Sequence, residues 1–112
     1  MTTVKDATSM FAAERRAYLG KRPGFHINEL QLGPTQSVPW HYHNTIQDTF
    51  YVIEGRIRLH LRQPDEQVVL GPAETYSVSP KRPHLVTNDT DDSSTFLVLQ
   101  GIGEYDFVLL DE

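Results

Sequence analysis

The chain has 112 residues, no cysteine, 38% hydrophobic and 22% charged residues, and a formal net charge of −5. That length suits one domain with a core able to fold alone, and the acidic balance argues against nucleic acid or an anionic membrane surface as partner, since both reward clustered Lys and Arg. Without cysteine, disulfides and thiolate chemistry are excluded, and any metal must be held by nitrogen and oxygen.

Residues 1–18 carry scattered charges and no apolar run. Neither a signal peptide nor a transmembrane span is read there, and the cytoplasm is the expected location. Residues 5–19, KDATSMFAAERRAYL, combine alanines with Glu14, Arg15 and Arg16, all good helix formers. Thr8 or Ser9 is placed to cap a helix and Gly20 to end it, with Met10, Phe11, Ala17 and Tyr18 on one side. A helical arm over residues 1–20 is therefore expected, packed outside a sheet domain spanning 25–110, with the whole chain (1–112) one domain.

From Lys21 the texture changes to a succession of short strands with turn signals between them. Phe25 to Leu32 reads as a strand broken by Gly33-Pro34. Ser37 to His43 follows, with Pro39 signalling a strand edge or a bulge. Thr49 to Glu54 is aromatic and β-branched, and Gly55 turns the chain. Arg56 to Arg62 alternates, with Ile57, Leu59 and Leu61 facing one way and Arg58, His60 and Arg62 the other. Further strands are read at 67–70, 75–79, 84–87, 95–100 and 105–110, and NDTDDSS (88–94) as a polar hairpin loop. Eight to ten such strands with no helix between them predict an all-β antiparallel sandwich or barrel.

Two histidines one residue apart on a strand, His41 and His43, share a face. The short turn at 44–47 brings Asp48 back beside them, and His84 lies in a later turn-and-strand stretch. Three imidazoles and a carboxylate are a donor set for a divalent transition metal. The same residues also suit a hydrogen-bonded polar pocket without metal. His60, between Arg58 and Arg62, reads as solvated, and His26 has no partner motif.

The spacing resembles the cupin family. Its first motif reads His-x-His, an acid after three or four residues, then Gly after six more, matched by His41, His43, Asp48 and Gly55. Its second runs from a Gly through a Pro-Gly turn to His and then Asn four positions on, matched by Gly71, the turn 79–83, His84 and Asn88. The resemblance covers roughly Leu30 to Gln100 and implies a double-stranded β-helix, with His41, His43, Asp48 and His84 as ligands to Fe, Mn, Ni or Zn. The chain departs from the pattern at Asp48, where the family has the longer Glu, at Thr35 for the opening Gly, and at Lys81 for the turn Gly.

Phe50 and Val52 share the face of Asp48, where they line the cavity or, more in keeping with their type, pack in the core; Tyr76 offers a hydroxyl to a ligand or packs at the rim, and Gln100 ends a strand facing either way. Lys81 and Arg82 stand at the expected mouth, placed either to attract an anionic substrate or, as is commoner for a charged pair in a turn, simply to be solvated. Asp89, Asp91 and Asp92 lack the spacing of a calcium loop. Trp40 and Tyr42 alternate with the histidines, so they face away and suit a dimer contact, and a homodimer is expected from open sheet edges. The implied function is that of an enzyme, with His41, His43 and His84 as catalytic residues. It would carry out dioxygenation, isomerisation or a lyase-type step on a small carbohydrate or organic acid. The alternative is a module that binds or senses a small ligand without turning it over.

Overall fold

The computed structural model describes residues 2–111. Eleven strands form it: β1 (Thr2–Val4), β2 (Arg15–Arg22), β3 (Phe25–Leu32), β4 (Ser37–Tyr42), β5 (Gln47–Glu54), β6 (Ile57–Leu61), β7 (Glu66–Leu70), β8 (Thr75–Val78), β9 (His84–Asn88), β10 (Ser94–Gly101) and β11 (Phe107–Leu109). They make two antiparallel sheets, in the orders β1-β11-β4-β9-β6-β7 and β2-β3-β10-β5-β8. The all-β architecture read from the sequence is the one observed. None of the described residues lies in a helix long and apolar enough to cross a membrane.

The inward faces follow the period-two pattern. On β6, Ile57, Leu59 and Leu61 are buried, while Arg58 and His60 stand half-exposed between them. Leu32, Val52, Val86 and Phe96, all fully buried, join them in one core cluster. Each such side chain contributes about 1.5–3 kcal/mol relative to exposure.

The expected N-terminal helix does not form. The cap residues make only a local turn, in which the Thr8 N–H donates to Asp6 Oδ1 at 2.9 Å and the Met10 N–H to the Ala7 carbonyl at 2.9 Å. The chain then runs on as β2, which pairs with β3 along the edge of the second sheet, with a register shift between Tyr18 and Gly20. Helix propensities differ by well under about 1 kcal/mol per residue. An eight-residue ladder that gives β3 its missing partner outweighs them. Ala7, Met10 and Phe11 still pack on the core, so the apolar side of the segment was legible even though its conformation was not.

Pro39 marks a bulge, not an edge. Strand β4 lies between β11 and β9, and its register against β9 shifts between Val38 and His41. Val38 opposes Val86 and His41 opposes His84, so three steps along β4 span two along β9. Unbroken alternation from Val38 would turn Trp40 and Tyr42 inward. The extra residue resets the phase, and His41 and His43 are the buried pair instead. Trp40 and Tyr42 are half-buried on the other face, where the Arg62 guanidinium sits 3.8 Å from the Trp40 ring centroid. They do not form an exposed pair on a sheet edge.

The two motif stretches are stitched together at both ends. At one end the Lys81 N–H donates to the His43 carbonyl at 2.6 Å. Lys81 has φ of +70°, so the turn keeps the left-handed backbone of a glycine with a lysine in place. At the other end Gly55, with φ of +88°, lies against Ser94, whose Oγ accepts from the Arg56 N–H at 3.0 Å and donates to Asn88 Oδ1 at 2.8 Å. Asn88 in turn donates to the carbonyls of Leu32 and Asp92, at 3.0 and 2.6 Å.

Candidate metal centre

His41 reaches the interior from β4, His43 from the residue just after that strand, Asp48 from β5 and His84 from the first position of β9. All four are at most 3% exposed, and one ligand atom of each lies within 4.8 Å of the others. The register accounts for the convergence. His41 sits opposite His84 across β4 and β9, and the turn after His43 leads directly into β5. Asp48, one methylene shorter than the acid of the motif, nevertheless reaches: its Oδ2 is 3.0 Å from Nε2 of both His43 and His84.

Each imidazole is held from behind. Nδ1 of His41 lies 2.7 Å from the Pro39 carbonyl, Nδ1 of His84 2.9 Å from the Arg82 carbonyl, and Nδ1 of His43 against the Asp106 carbonyl. A carbonyl only accepts, so each Nδ1 carries the proton and each neutral ring presents its lone pair on Nε2. Phe107 stacks on His41, with centroids 4.2 Å apart and planes 14° apart, and fixes its ring plane.

Lone pairs of His43 and His84 thus point at a carboxylate oxygen, acceptor against acceptor. That arrangement is relieved only by protons or by a cation among them. The titration of the metal-free cluster reflects the conflict. Burial, then the neighbouring His84 and His43, hold His41 well below the usual imidazole value of 6.5. Burial also works against a charged His43, but the Asp48 carboxylate and its hydrogen bond outweigh it and raise His43 above 6.5. Asp48 is lowered well below 3.8, because His43 and then His84 overcome the effect of burial. The donor set fits a divalent ion: three Nε2 lone pairs and one carboxylate oxygen, preoriented and dry.

A pH dependence follows. His43, raised in the folded state, adds stability that is complete below 6.5 and lost as pH climbs through its raised value. His41, depressed, removes stability as pH falls below 6.5, because only the unfolded chain then takes up its proton. Metal-free protein should therefore melt highest near pH 6.5. A metal must displace the His43 proton, so the rise in melting temperature on adding metal should grow as pH increases past that point. Thermal melts across pH with and without zinc check this. A metal-induced shift that shrinks with rising pH would refute it.

His41, His43 and Asp48 of the cluster line a cavity of about 140 Å³, and His84 does not. Phe50 and Gln100 line it. Val52 is fully buried in the core and Tyr76 is directed elsewhere, its hydroxyl donating to Glu66 Oε1 at 3.1 Å, so neither lines the cavity. Lys81 and Arg82 are also outside it; Arg82 is tied to the carbonyls of Arg62 and Pro64 and to Glu66. The mouth is formed instead by the N-terminal segment and β2, through Lys5, Asp6, Phe11, Arg16 and Lys21.

Sequence reasoning missed several lining residues. His26, without a motif, lines the cavity beside Tyr105, their centroids 5.4 Å apart. Tyr105 lies 5.5 Å from the His43 ring, and burial followed by the Asp48 charge pushes its phenol well above the ordinary range. Asn28 and Phe107 line it too. Alternation on β3 places Asn28 on the same face as His26 and Leu30, which was the available signal. His60, as expected, stays on the polar face, 3.0 Å from Thr87 Oγ1. Asp89 is less free than a solvated loop residue, since it pairs with both Arg56 and Arg58.

The sequence pattern of the cupin domain matches residues 28–100, and that stretch contains the whole cluster. The chain belongs to the cupin family. Among solved structures this cupin is similar to an uncharacterized conserved protein with a double-stranded β-helix domain from Klebsiella pneumoniae. That match has 20% identity and a TM-score of 0.75, covering 88% of this chain and 84% of the other. A structure of the DMSP lyases RdDddP and RnDddQII matches at 25% identity and a TM-score of 0.62, covering 71% of this cupin and 40% of that chain. An oxalate oxidase matches at 15% identity and a TM-score of 0.71, covering 78% and 46%. This cupin thus spans less than half the length of those two enzymes. No curated protein matches it.

Proposed function

We propose that this cupin binds one divalent transition metal through His41, His43, Asp48 and His84 and is an enzyme acting there on a small organic acid. The observation that carries the reading is the backbone lock on all three imidazoles, which aims three Nε2 lone pairs at one point beside a buried carboxylate. Iron, manganese, nickel and zinc all suit this donor set. When bound, the metal supplies Lewis acidity or a position for oxygen. A divalent ion with one carboxylate and three neutral imidazoles leaves a net charge of about +1, which draws an anionic ligand.

The chain's own residues supply the rest. Gln100 Nε2 donates to Asp48 Oδ1 at 2.9 Å and holds the carboxylate in place. Phe50 and Phe107 give the cavity a dry wall, and Arg16 and Lys21 at the mouth favour an acid. Tyr105, kept protonated, offers a hydrogen bond to an anionic ligand. Similar folds occur in proteins described as a lyase and as an oxidase, so both reaction classes are carried forward. The second reading, a binding or sensing module, is favoured by Tyr105 itself, since a phenol locked in its protonated form does not serve as a base.

Metal analysis of protein purified without added metal tests the centre. A stoichiometric transition metal that is lost in His41→Ala and in His84→Ala is the expected result, and no uptake under any loading would sink the proposal. Oxygen consumption on a panel of small acids then separates oxidative from lyase or isomerase chemistry. Saturable binding without turnover selects the sensing module. Turnover that survives His43→Ala would rule out a mechanism at this metal. We also propose, as an expectation from the open edges of β1, β7, β2 and β8, that the protein is a homodimer.

A further inference from the structure

We propose that Asn28 selects the ligand of this cavity, accepting a hydrogen bond from a hydroxyl group carried by a small carboxylic acid. The inference rests on the metal-centred reading for the seat of the carboxylate, and otherwise starts from one atom. Asn28 Oδ1 is buried and meets no donor from the protein, alone in this among the buried side-chain polar atoms of the described residues.

Its orientation is dictated by the metal cluster through a relay. The Asp48 carboxylate only accepts, so Gln100 must turn Nε2 toward Oδ1, at 2.9 Å. Gln100 Oε1 then faces Asn28, which must answer with Nδ2, at 2.8 Å. Oδ1 of Asn28 is the atom left over. Flipping Asn28 would set two carbonyl oxygens against each other, so the acceptor is fixed. The strands hold the relay in register: Gln100 on β10 pairs with Asp48 on β5 and with His26 on β3, and Asn28 is the next inward-facing position along β3.

Asn28, Gln100, Asp48 and His41 line the same cavity. At about 140 Å³ it is close to the size of cavities that take a benzene-sized molecule, so a sugar chain is too large. Asn28 Oδ1 accepts only, so it repels a second carboxylate or an ether oxygen and rewards a hydroxyl. With the acid at the metal and the hydroxyl at Asn28, the substrate class is the small hydroxy acids.

The test is a titration of zinc-loaded protein, with zinc content measured first. The ligands are two matched pairs, lactate against propanoate and 2-hydroxybutanoate against butanoate. The hydroxy acid should bind about tenfold or more tightly in each pair. In Asn28→Leu the ratio should fall to near one while zinc content is unchanged. A wild-type ratio near one, or a ratio unchanged in the variant, overturns the assignment. Should the variant not fold, the Asn28 side-chain amide resonances of labelled wild-type protein decide. They should move with the hydroxy acids and not with their partners, and equal movement overturns the proposal. If no zinc is taken up, the metal reading fails by itself and the same pairs titrated against the metal-free protein still decide the role of Asn28. Zinc uptake with no binding of any of the four acids overturns the hydroxy-acid assignment and leaves the metal centre standing.

Discussion

Asp48→Asn should lower metal affinity by about two to four orders of magnitude while leaving the fold intact. The replacement keeps the shape and removes the charge. Breaking a buried charged cluster by taking away one partner costs about 3–5 kcal/mol, which is that range in affinity. The geometry leaves no substitute. Asp48 is the single carboxylate of the cluster, and its Oδ2 lies 3.0 Å from two of the three Nε2 atoms. The variant should also lose the alkaline decline in stability of the metal-free protein, because His43 owes its raised value to the Asp48 charge. Calorimetric zinc titration, with melts of the metal-free variant across pH, checks both. Wild-type affinity in the variant would show that Asp48 is not a ligand.

Gly55→Ala should cost about 3–5 kcal/mol of stability, a large share of the roughly 5–15 kcal/mol typical of a domain. Two costs add. At φ of +88° a side chain is strained by about 1–2 kcal/mol. A Cβ there would also stand 2.3 Å from Ser94 Oγ and 2.8 Å from Ser94 Cα. Overpacking of that kind costs about 1–3 kcal/mol, and a displaced Ser94 hydroxyl leaves the Arg56 N–H without its acceptor for about 1 kcal/mol or more, while Asn88 Oδ1 keeps its bonds from Thr90. Because one clash is with backbone, Ser94→Gly should rescue only part of the loss. Urea unfolding should show a lower midpoint at an unchanged slope. A loss under about 1 kcal/mol would mean that the turn re-forms with another backbone path.

Much of this was legible beforehand because short strand-like runs are separated by Gly and Pro and because β6 repeats with period two. The four residues of the candidate metal centre were legible through their spacing. The N-terminal segment was not, because Ala12, Ala13, Glu14 and Arg15 state only a local preference, and the deciding fact is that β3 lacks a neighbour on that side. Pro39 announced an irregularity without saying which, and only the β4–β9 register shows that it resets the phase in favour of the histidines. Gly55 and Asn88 were recognisable as motif members, yet their meeting through Ser94 depends on a contact between distant parts of the chain. Tyr105 and Phe107 carry no local sign of their site, since only the β11–β4 pairing brings that end of the chain to the histidines.

The carbonyls behind the imidazoles belong to Pro39, Arg82 and Asp106, but any residue at those positions would supply the same oxygen. The part of the site that chooses the tautomer is therefore written in chain path and not in side-chain identity. Substitutions at 82 and 106 leave the aim of the candidate metal ligands untouched only where the local backbone survives the loss of the Arg82 bonds to the Arg62 and Pro64 carbonyls and of the Asp106 bonds to Asn44. Support from backbone carbonyls leaves no trace in a residue-by-residue comparison, because the atom that fixes each imidazole is common to every residue type.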